Sequence, residues 1–254
     1  MIRKTKSHSK PTKKEIPEGP MRLNKYVAHC GICSRREAAA LVKLGKVEVN
    51  GVVETNPSYE VKEKDKILYQ GKAIYPETKK VYILINKPKN VVTTSKDERN
   101  RLTVLDLLKG KLTERVYPVG RLDRNTTGLL LLTNDGDLAQ KLAHPSYKVK
   151  KIYHVALGTK LRESDLEKIR NGIVLEDGKA EFDQIEYVEN KKDELIIEIH
   201  LGKNRIIRRI FEHLGFEVKR LDRIYYAGLT KKHLPRGNFR HLNSQEVIML
   251  KHFT

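Results

Sequence analysis

The chain has 254 residues, enough for one large domain or two smaller ones with a buried core. Its formal charge of +19, from 51 Lys and Arg against 32 Asp and Glu, favours a polyanionic partner, nucleic acid or an anionic membrane surface. No apolar run approaches the roughly 18 residues of a membrane span, the first residues lack the apolar stretch of a secretory leader, and two cysteines exclude a disulfide-stapled scaffold. These features predict a basic, soluble, cytoplasmic protein.

Residues 1–20 hold six basic and two acidic side chains with almost nothing apolar, so a disordered basic tail is expected. From Met21 the pattern changes: Leu23, Tyr26 and Val27 recur at helical spacing up to a stop at Gly31. Ser34-Arg35-Arg36-Glu37 spells a capping box, and Ala38 to Leu44 continues a second helix that Gly45 ends. Val47-Glu48-Val49 alternates, Asn50-Gly51 is a two-residue hairpin signal, Val52-Val53 returns, and Ile67-Leu68-Tyr69 adds a strand. The unit closes near Pro76, and Glu77-Thr78-Lys79-Lys80 has the polarity of a linker. Residues 21–76 are therefore expected as one small domain and 77–254 as a second. Cys30 and Cys33 spell C-x-x-C, but zinc needs four ligands and there is no second pair, so packing of the interhelical turn is the expected role and no metal is expected.

The second unit opens with the strand Val81–Ile85, and a helix is predicted around Val104–Leu108. Gly128 to Thr133 is an apolar run of strand length, stopped by Asn134-Asp135-Gly136, and Asp137 is the expected cap of a helix ending before Pro145. Ser164-Asp165-Leu166-Glu167 spells another capping box, with Gly172 closing its helix. Asp177-Gly178 links two strand-like runs; Leu195, Ile197, Ile199 and Leu201 alternate with polar residues. Arg205–Leu214 then carries an apolar face of Ile206, Ile207, Ile210, Phe211 and Leu214. Strands and helices do not alternate as a doubly wound sheet requires, so the fold class is α+β with a mixed, largely antiparallel sheet. Residues 161–202 hold six basic against twelve acidic side chains and 203–254 twelve against four, so the basic surface falls into separate regions suited to a phosphate backbone.

Three stretches of the first unit, Arg22-Leu23-Asn24-Lys25-Tyr26, Ser34-Arg35-Arg36-Glu37-Ala38 and Gly45 to Gly51, resemble the small RNA-binding domain first described in ribosomal small-subunit protein four. The paired arginines at a capped helix start, beside a helical Lys25, would put cations and free helix N–H groups on one surface.

The sharpest constellation is Tyr117-Pro118-Val119-Gly120-Arg121-Leu122-Asp123-Arg124-Asn125-Thr126-Thr127-Gly128. It brings a carboxylate flanked by Arg121 and Arg124 to the edge of a buried strand, a setting for a nucleophile or base; alone, such an Asp would be a cap or Asx-turn. Gly-Arg-Leu-Asp-x-x-Thr-x-Gly-Leu resembles the signature of RNA pseudouridine synthases, and its continuation resembles the RsuA/RluB/RluF group that modifies ribosomal RNA, most closely the RluB type. Asn86-Lys87-Pro88-Lys89-Asn90 is similar to the family's Asn-Lys-Pro-x-Gly turn, with Asn90 for glycine, the residue that best tolerates a left-handed backbone after glycine. Lys150-Lys151-Ile152-Tyr153 resembles the segment carrying the family's active-site tyrosine. Gly202-Lys203-Asn204-Arg205-Ile206-Ile207-Arg208-Arg209 resembles its third motif, with Ile206 for the usual Gln. Leu221 to Ile224 and Leu234 to Arg240 resemble its closing segments.

The resemblance implies isomerisation of a flipped uridine, a reaction needing no metal, nucleotide or redox cofactor. It implies Asp123 acting on the nucleotide, Tyr153 stacking on the uracil, and Arg208 paired with the Asp123 carboxylate; the bland reading of Arg208 is an i,i+4 pair with Glu212 on an exposed helix face. Arg22, Lys25, Arg35, Arg36, Arg121, Arg124, Arg205 and Arg209 are the expected RNA contacts. The implied partner is ribosomal RNA or a partly assembled ribosomal subunit, without a membrane, and the chain is expected as a monomer. The alternatives are a non-catalytic RNA-binding assembly factor, which has no need of Asp123, Tyr153 and Arg208 together, and a DNA-binding protein, which the sequence gives no helix-turn-helix or zinc finger to support.

Overall fold

The computed structural model describes residues 21–252, so the expected tail at 1–20 lies outside the described residues. The chain divides into two compact units between Lys80 and Val81. No helix among the described residues is long and apolar enough to cross a membrane.

In the first unit, α1 (Leu23–His29) and α2 (Arg35–Lys43) pack beside a four-stranded antiparallel sheet ordered Val52–Val53, Val47–Val49, Ile67–Tyr69, Lys72–Ala73. Their core is Leu23, Tyr26, Val27, Ala38, Val42, Val47, Val49 and Ile67, with Cys30 and Cys33 packed half-buried against it. The capping box at Ser34 is formed in both directions: its Oγ accepts from Glu37 N at 3.3 Å and Glu37 Oε2 accepts from Ser34 N at 2.8 Å. Asn50 and Gly51 both take positive φ, +54° and +84°, as a hairpin turn matched to strand twist demands.

The second unit is built on a mixed sheet. Its strands are β1 (Tyr82–Lys87), β2 (Thr127–Thr133), β3 (Lys151–Leu157), β4 (Gln184–Val188), β5 (Lys191–Ile199), β6 (Val218–Tyr226) and β7 (Phe239–His241). They lie in the order β4-β5-β3-β6-β2-β1-β7, antiparallel throughout except for the central β6–β2 pair. The α+β expectation with a largely antiparallel sheet is met. Strands β1 and β2 are buried on both faces. Ile83, Ile85, Leu130 and Leu132 join the core shared with α4 (Glu163–Arg170) and α5 (Ile206–His213). Tyr82, Leu84, Leu129 and Leu131 join one shared with α3 (Gly136–Ala143) and α6 (Ser244–His252). That is why Leu129 to Leu132 is an unbroken apolar run instead of an alternating one.

Three local expectations need correction. The helix predicted from a Ser164 capping box starts one residue too early for it: Glu163 is its first residue and Arg162 its cap, so Ser164 already lies inside the helix, while Asp165 pairs with Lys168 at 2.9 Å. The cap of α3 is Asp135, whose side chain accepts from Leu138 N, and Asp137 falls in the first turn. The helix predicted at Val104–Leu108 is a single 3₁₀ turn, Asp106–Leu108, because the Asp106 carboxylate caps the preceding chain, accepting from Thr103 N at 2.8 Å and Thr103 Oγ1 at 2.7 Å.

Candidate active site

Asp123 lies in the loop between the short strand Tyr117–Pro118 and β2. The loop is pinned on both sides of the aspartate by the segment that follows β1. Thr93 Oγ1 donates to the Leu122 carbonyl at 2.9 Å, and Asn90 N donates to the Arg124 carbonyl at 2.9 Å. Asn90 has φ +66°, so the asparagine adopts the left-handed turn in which the resemblance expects glycine. Lys87, fully buried, donates Nζ to the carbonyls of Pro88 at 2.9 Å, Val91 at 2.8 Å and Arg124 at 3.3 Å. Burial pushes its ammonium down to about 8; Asp123 pulls the other way and Arg236 adds to the drop.

The Asp123 side chain is 34% exposed, and its carboxylate forms part of the wall of a cavity of about 180 Å³ together with Thr126, Lys151, Tyr153, Arg205 and Arg223. The parallel β6–β2 pairing, Asp222 with Thr127 and Arg223 with Gly128, carries Arg223 to that wall. A Cβ at Gly128 would lie 2.2 Å from the Arg223 carbonyl oxygen, so the approach requires glycine. Asp222, on the same stretch, is buried and clamped by Thr127 Oγ1 at 2.8 Å, by Arg236 Nη1 at 2.9 Å and by Lys231. Burial alone would raise its carboxyl, but the hydrogen bonds from Arg236, Lys231 and Thr127 hold it below the usual carboxylate range.

Arg208 does not make the expected pair with Asp123, nor the exposed pair with Glu212. It is buried, and Nη1 donates to the Val218 carbonyl at 2.9 Å. Burial, reinforced by Arg205, draws its guanidinium down, opposed by the more distant attraction of Asp123 and Glu212. Among the described residues, the ion pair of Asp123 is with Arg205, whose Nη1 is 3.8 Å from Oδ2 and whose Nη2 is 3.1 Å from Glu212 Oε1. Arg205 caps α5 with φ +47°, and Arg208 lies within the first turn that follows it, with its side chain among the buried residues of the helix.

Of the expected RNA contacts, Arg121 and Arg124 are exposed beside Asp123. Arg209 is held by Asp177 in a two-pronged pair at 2.6 and 3.0 Å. In the first unit Arg22, Arg35 and Arg36 are exposed and Lys25 half-buried. Arg35 and Arg36 open α2, where the helix dipole disfavours cations, so their position suits an anionic ligand better than it suits the helix. Lys151 and Arg223 were not singled out from sequence. The signal for Lys151 was its i,i+2 spacing from Tyr153, which puts both on one face of a strand.

A family model for RNA pseudouridylate synthase matches residues 81–213, and one for the S4 domain matches residues 21–67. The ribosomal large subunit pseudouridine synthase B of Bacillus subtilis is 42% identical over 234 residues, covering 91% of this chain and 95% of that protein. The chain belongs to the RNA pseudouridine synthase family. Another member, an uncharacterized RNA pseudouridine synthase of Aquifex aeolicus, is 39% identical over 239 residues, covering 91% of this chain and 93% of its own. Among solved structures, a pseudouridylate synthase superposes with a TM-score of 0.65 at 25% identity, covering 91% of this chain and 99% of that one. Within this synthase, the Asp123 loop, Tyr153 and Arg205 all belong to the segment matched by the catalytic family model.

Proposed function

We propose that this synthase converts a uridine of large-subunit ribosomal RNA to pseudouridine, on free RNA or on a partly assembled subunit. The Bacillus subtilis relative supports that substrate class through similarity over nearly the whole of both chains. The observation that carries the reading is a partly exposed carboxylate, Asp123, on the wall of a cavity that Tyr153 also lines.

The reaction breaks the N1–C1′ bond, turns the base and rejoins it through C5; C5 loses a proton and N1 gains one, so no co-reactant is consumed. A stacked base cannot enter the cavity, so the uridine is flipped out, and Tyr153 packs against the uracil face. Asp123 acts either as nucleophile on the nucleotide or as base toward a ribose proton; both need its anion, and Arg205 is the cation that positions it. Arg208 ties α5 to β6 through the Val218 carbonyl. Arg121, Arg124 and Arg209, with Arg22, Lys25, Arg35 and Arg36 of the 21–76 domain, hold phosphates, while 77–254 is the catalytic domain. Mapping pseudouridines in ribosomal RNA from cells with and without the gene tests this: one large-subunit pseudouridine should disappear. Loss of none, or of a small-subunit position instead, contradicts the assignment.

A further inference from the structure

Two cations in the cavity wall have no role in the reading above. Lys151 lies two residues before Tyr153 on β3, and Arg223 stands opposite Tyr153 in the β3–β6 register; all three line the cavity. Arg223 is 3% exposed, its Nε donates to the Leu129 carbonyl at 2.7 Å, and its guanidinium lies 4.5 Å from the Tyr226 ring centre. Its Nη2 is buried without a hydrogen-bond partner among the described residues. Lys151 Nζ donates to the His200 carbonyl at 2.7 Å, which leaves two of its three protons. Neither the buried Arg223 nor the half-buried Lys151 makes an ion pair among the described residues, although cations so far withdrawn from water are ordinarily paired. A cavity wall with two such groups calls for an occupant that accepts hydrogen bonds and carries or develops negative charge.

We propose that Lys151 and Arg223 are further catalytic residues, donating to the carbonyl oxygens of the flipped uracil and stabilising the uracilate formed when the N1–C1′ bond breaks. This rests on the assignment of the cavity to uridine isomerisation. Heterolysis leaves the bonding electron pair on N1, delocalised onto O2 and O4. C1′ is meanwhile either esterified to Asp123 or part of a glycal whose C2′ proton Asp123 has taken. The base anion turns, C5 bonds to C1′ as that ester breaks or that proton returns to C2′, and the C5 proton departs as N1 takes one up, giving an isomer. Neither cation gives up a proton in this sequence. Uridine is neutral on binding and anionic only after cleavage, so the two cations act on rate far more than on affinity.

The charged and titratable groups around Lys151 are Arg223 and Tyr226 on β6, Tyr153 on its own strand, and Asp183 ahead of β4, whose Oδ1 is 2.6 Å from His200 Nδ1. Asp123, Lys203 and Arg205 share the cavity. Burial, with Arg223 adding to it, pushes the Lys151 ammonium down to about 8, against the pull of Asp183. An arginine in its place stays charged at every working pH.

The test is single-turnover conversion of an unmodified ribosomal RNA transcript by the full chain, with the RNA dissociation constant measured alongside. Lys151→Met should lose about 10²–10³-fold in rate at saturating RNA, with affinity changed less than about threefold. Lys151→Arg should stay within about tenfold of wild type and hold its rate through about pH 8, where the wild-type rate falls. Because Lys151→Met removes a half-buried cation, the Lys151→Arg pH profile is the safeguard against a folding defect. A wild-type rate in Lys151→Met overturns the inference, as does a Lys151→Arg profile that falls with the wild type. Lost affinity with an intact saturated rate assigns the cations to an RNA phosphate and overturns it too. In each of these cases the wild type still forms pseudouridine and the functional reading stands; a wild type that converts no uridine overturns both.

Discussion

Alanine at Gly128 tests the junction that joins the aspartate loop to the rest of the site. Strands β2 and β6 pair in parallel only at Thr127 with Asp222 and at Gly128 with Arg223. A Cβ at 128 would meet the Arg223 carbonyl oxygen at 2.2 Å and its nitrogen at 2.5 Å, both backbone atoms that no rotamer change can clear, and the local φ is +105°. Left-handed strain in a non-glycine residue costs about 1–2 kcal/mol, and forcing a methyl against packed backbone about 1–3 kcal/mol. Together that is about 2–5 kcal/mol, a large part of the roughly 5–15 kcal/mol that separates folded from unfolded domains. Urea unfolding of Gly128→Ala should show a lowered midpoint at unchanged slope, and the folded fraction should isomerise uridine more slowly because the backbone of Arg223 is displaced in the cavity wall. A variant within about 0.5 kcal/mol of wild type and fully active would refute the claim that this approach is tight.

Replacing Arg35 and Arg36 together by alanine should raise the RNA dissociation constant and flatten its salt dependence, by about 0.7 in slope for each lost single-strand phosphate contact, while leaving the saturated rate unchanged. The same variant should be slightly more stable, because α2 loses two cations from its N-terminus; an unchanged salt slope would move the phosphate contacts elsewhere. Asp222→Asn should destabilise by about 1–3 kcal/mol, less than a fully buried pair because Lys231 and Arg236 are partly exposed and can rehydrate. The folded Asp222 carboxyl is held low, so its contribution is present at neutral pH and is lost as pH falls below its ordinary value near 4. The gap between wild type and Asp222→Asn should therefore be constant around neutrality and close in acid; a gap that widens in acid contradicts the clamp.

Features that depend on neighbouring residues were legible from the sequence. The Ser34 box, the Asn50-Gly51 turn and the left-handed Asn90 each follow from local backbone chemistry. The same reasoning failed at Ser164, where an identical pattern lies inside a helix that Glu163 starts, because a capping box is specified by register as well as by residue type. The β2–β6 pairing joins residues about 95 apart in the chain, and no local signal marks it. Asp123 and Tyr153 are candidates named from their motifs, and the fold brings both to one cavity. The choice between Arg205 and Arg208 as the partner of Asp123 was not readable, since both lie in one basic run; in the fold Arg205 comes within 3.8 Å of the carboxylate, while Arg208 is bonded to the Val218 carbonyl. Lys151 and Arg223 come to one cavity wall through the pairing of β3 with β6, which a list of charged residues does not reveal.

Asp123→Asn bears most directly on the account. The substitution keeps the size of the side chain and removes the anion that both routes require. Measured as tritium release from C5-labelled uridine in unmodified ribosomal RNA at saturating enzyme, wild type should release the label. The variant should fall short by several orders of magnitude, with RNA affinity kept because the basic surfaces carry it. Release by Asp123→Asn within about tenfold of wild type, the equivalent of about 1.4 kcal/mol, would contradict the central claim that the Asp123 carboxylate performs the chemistry.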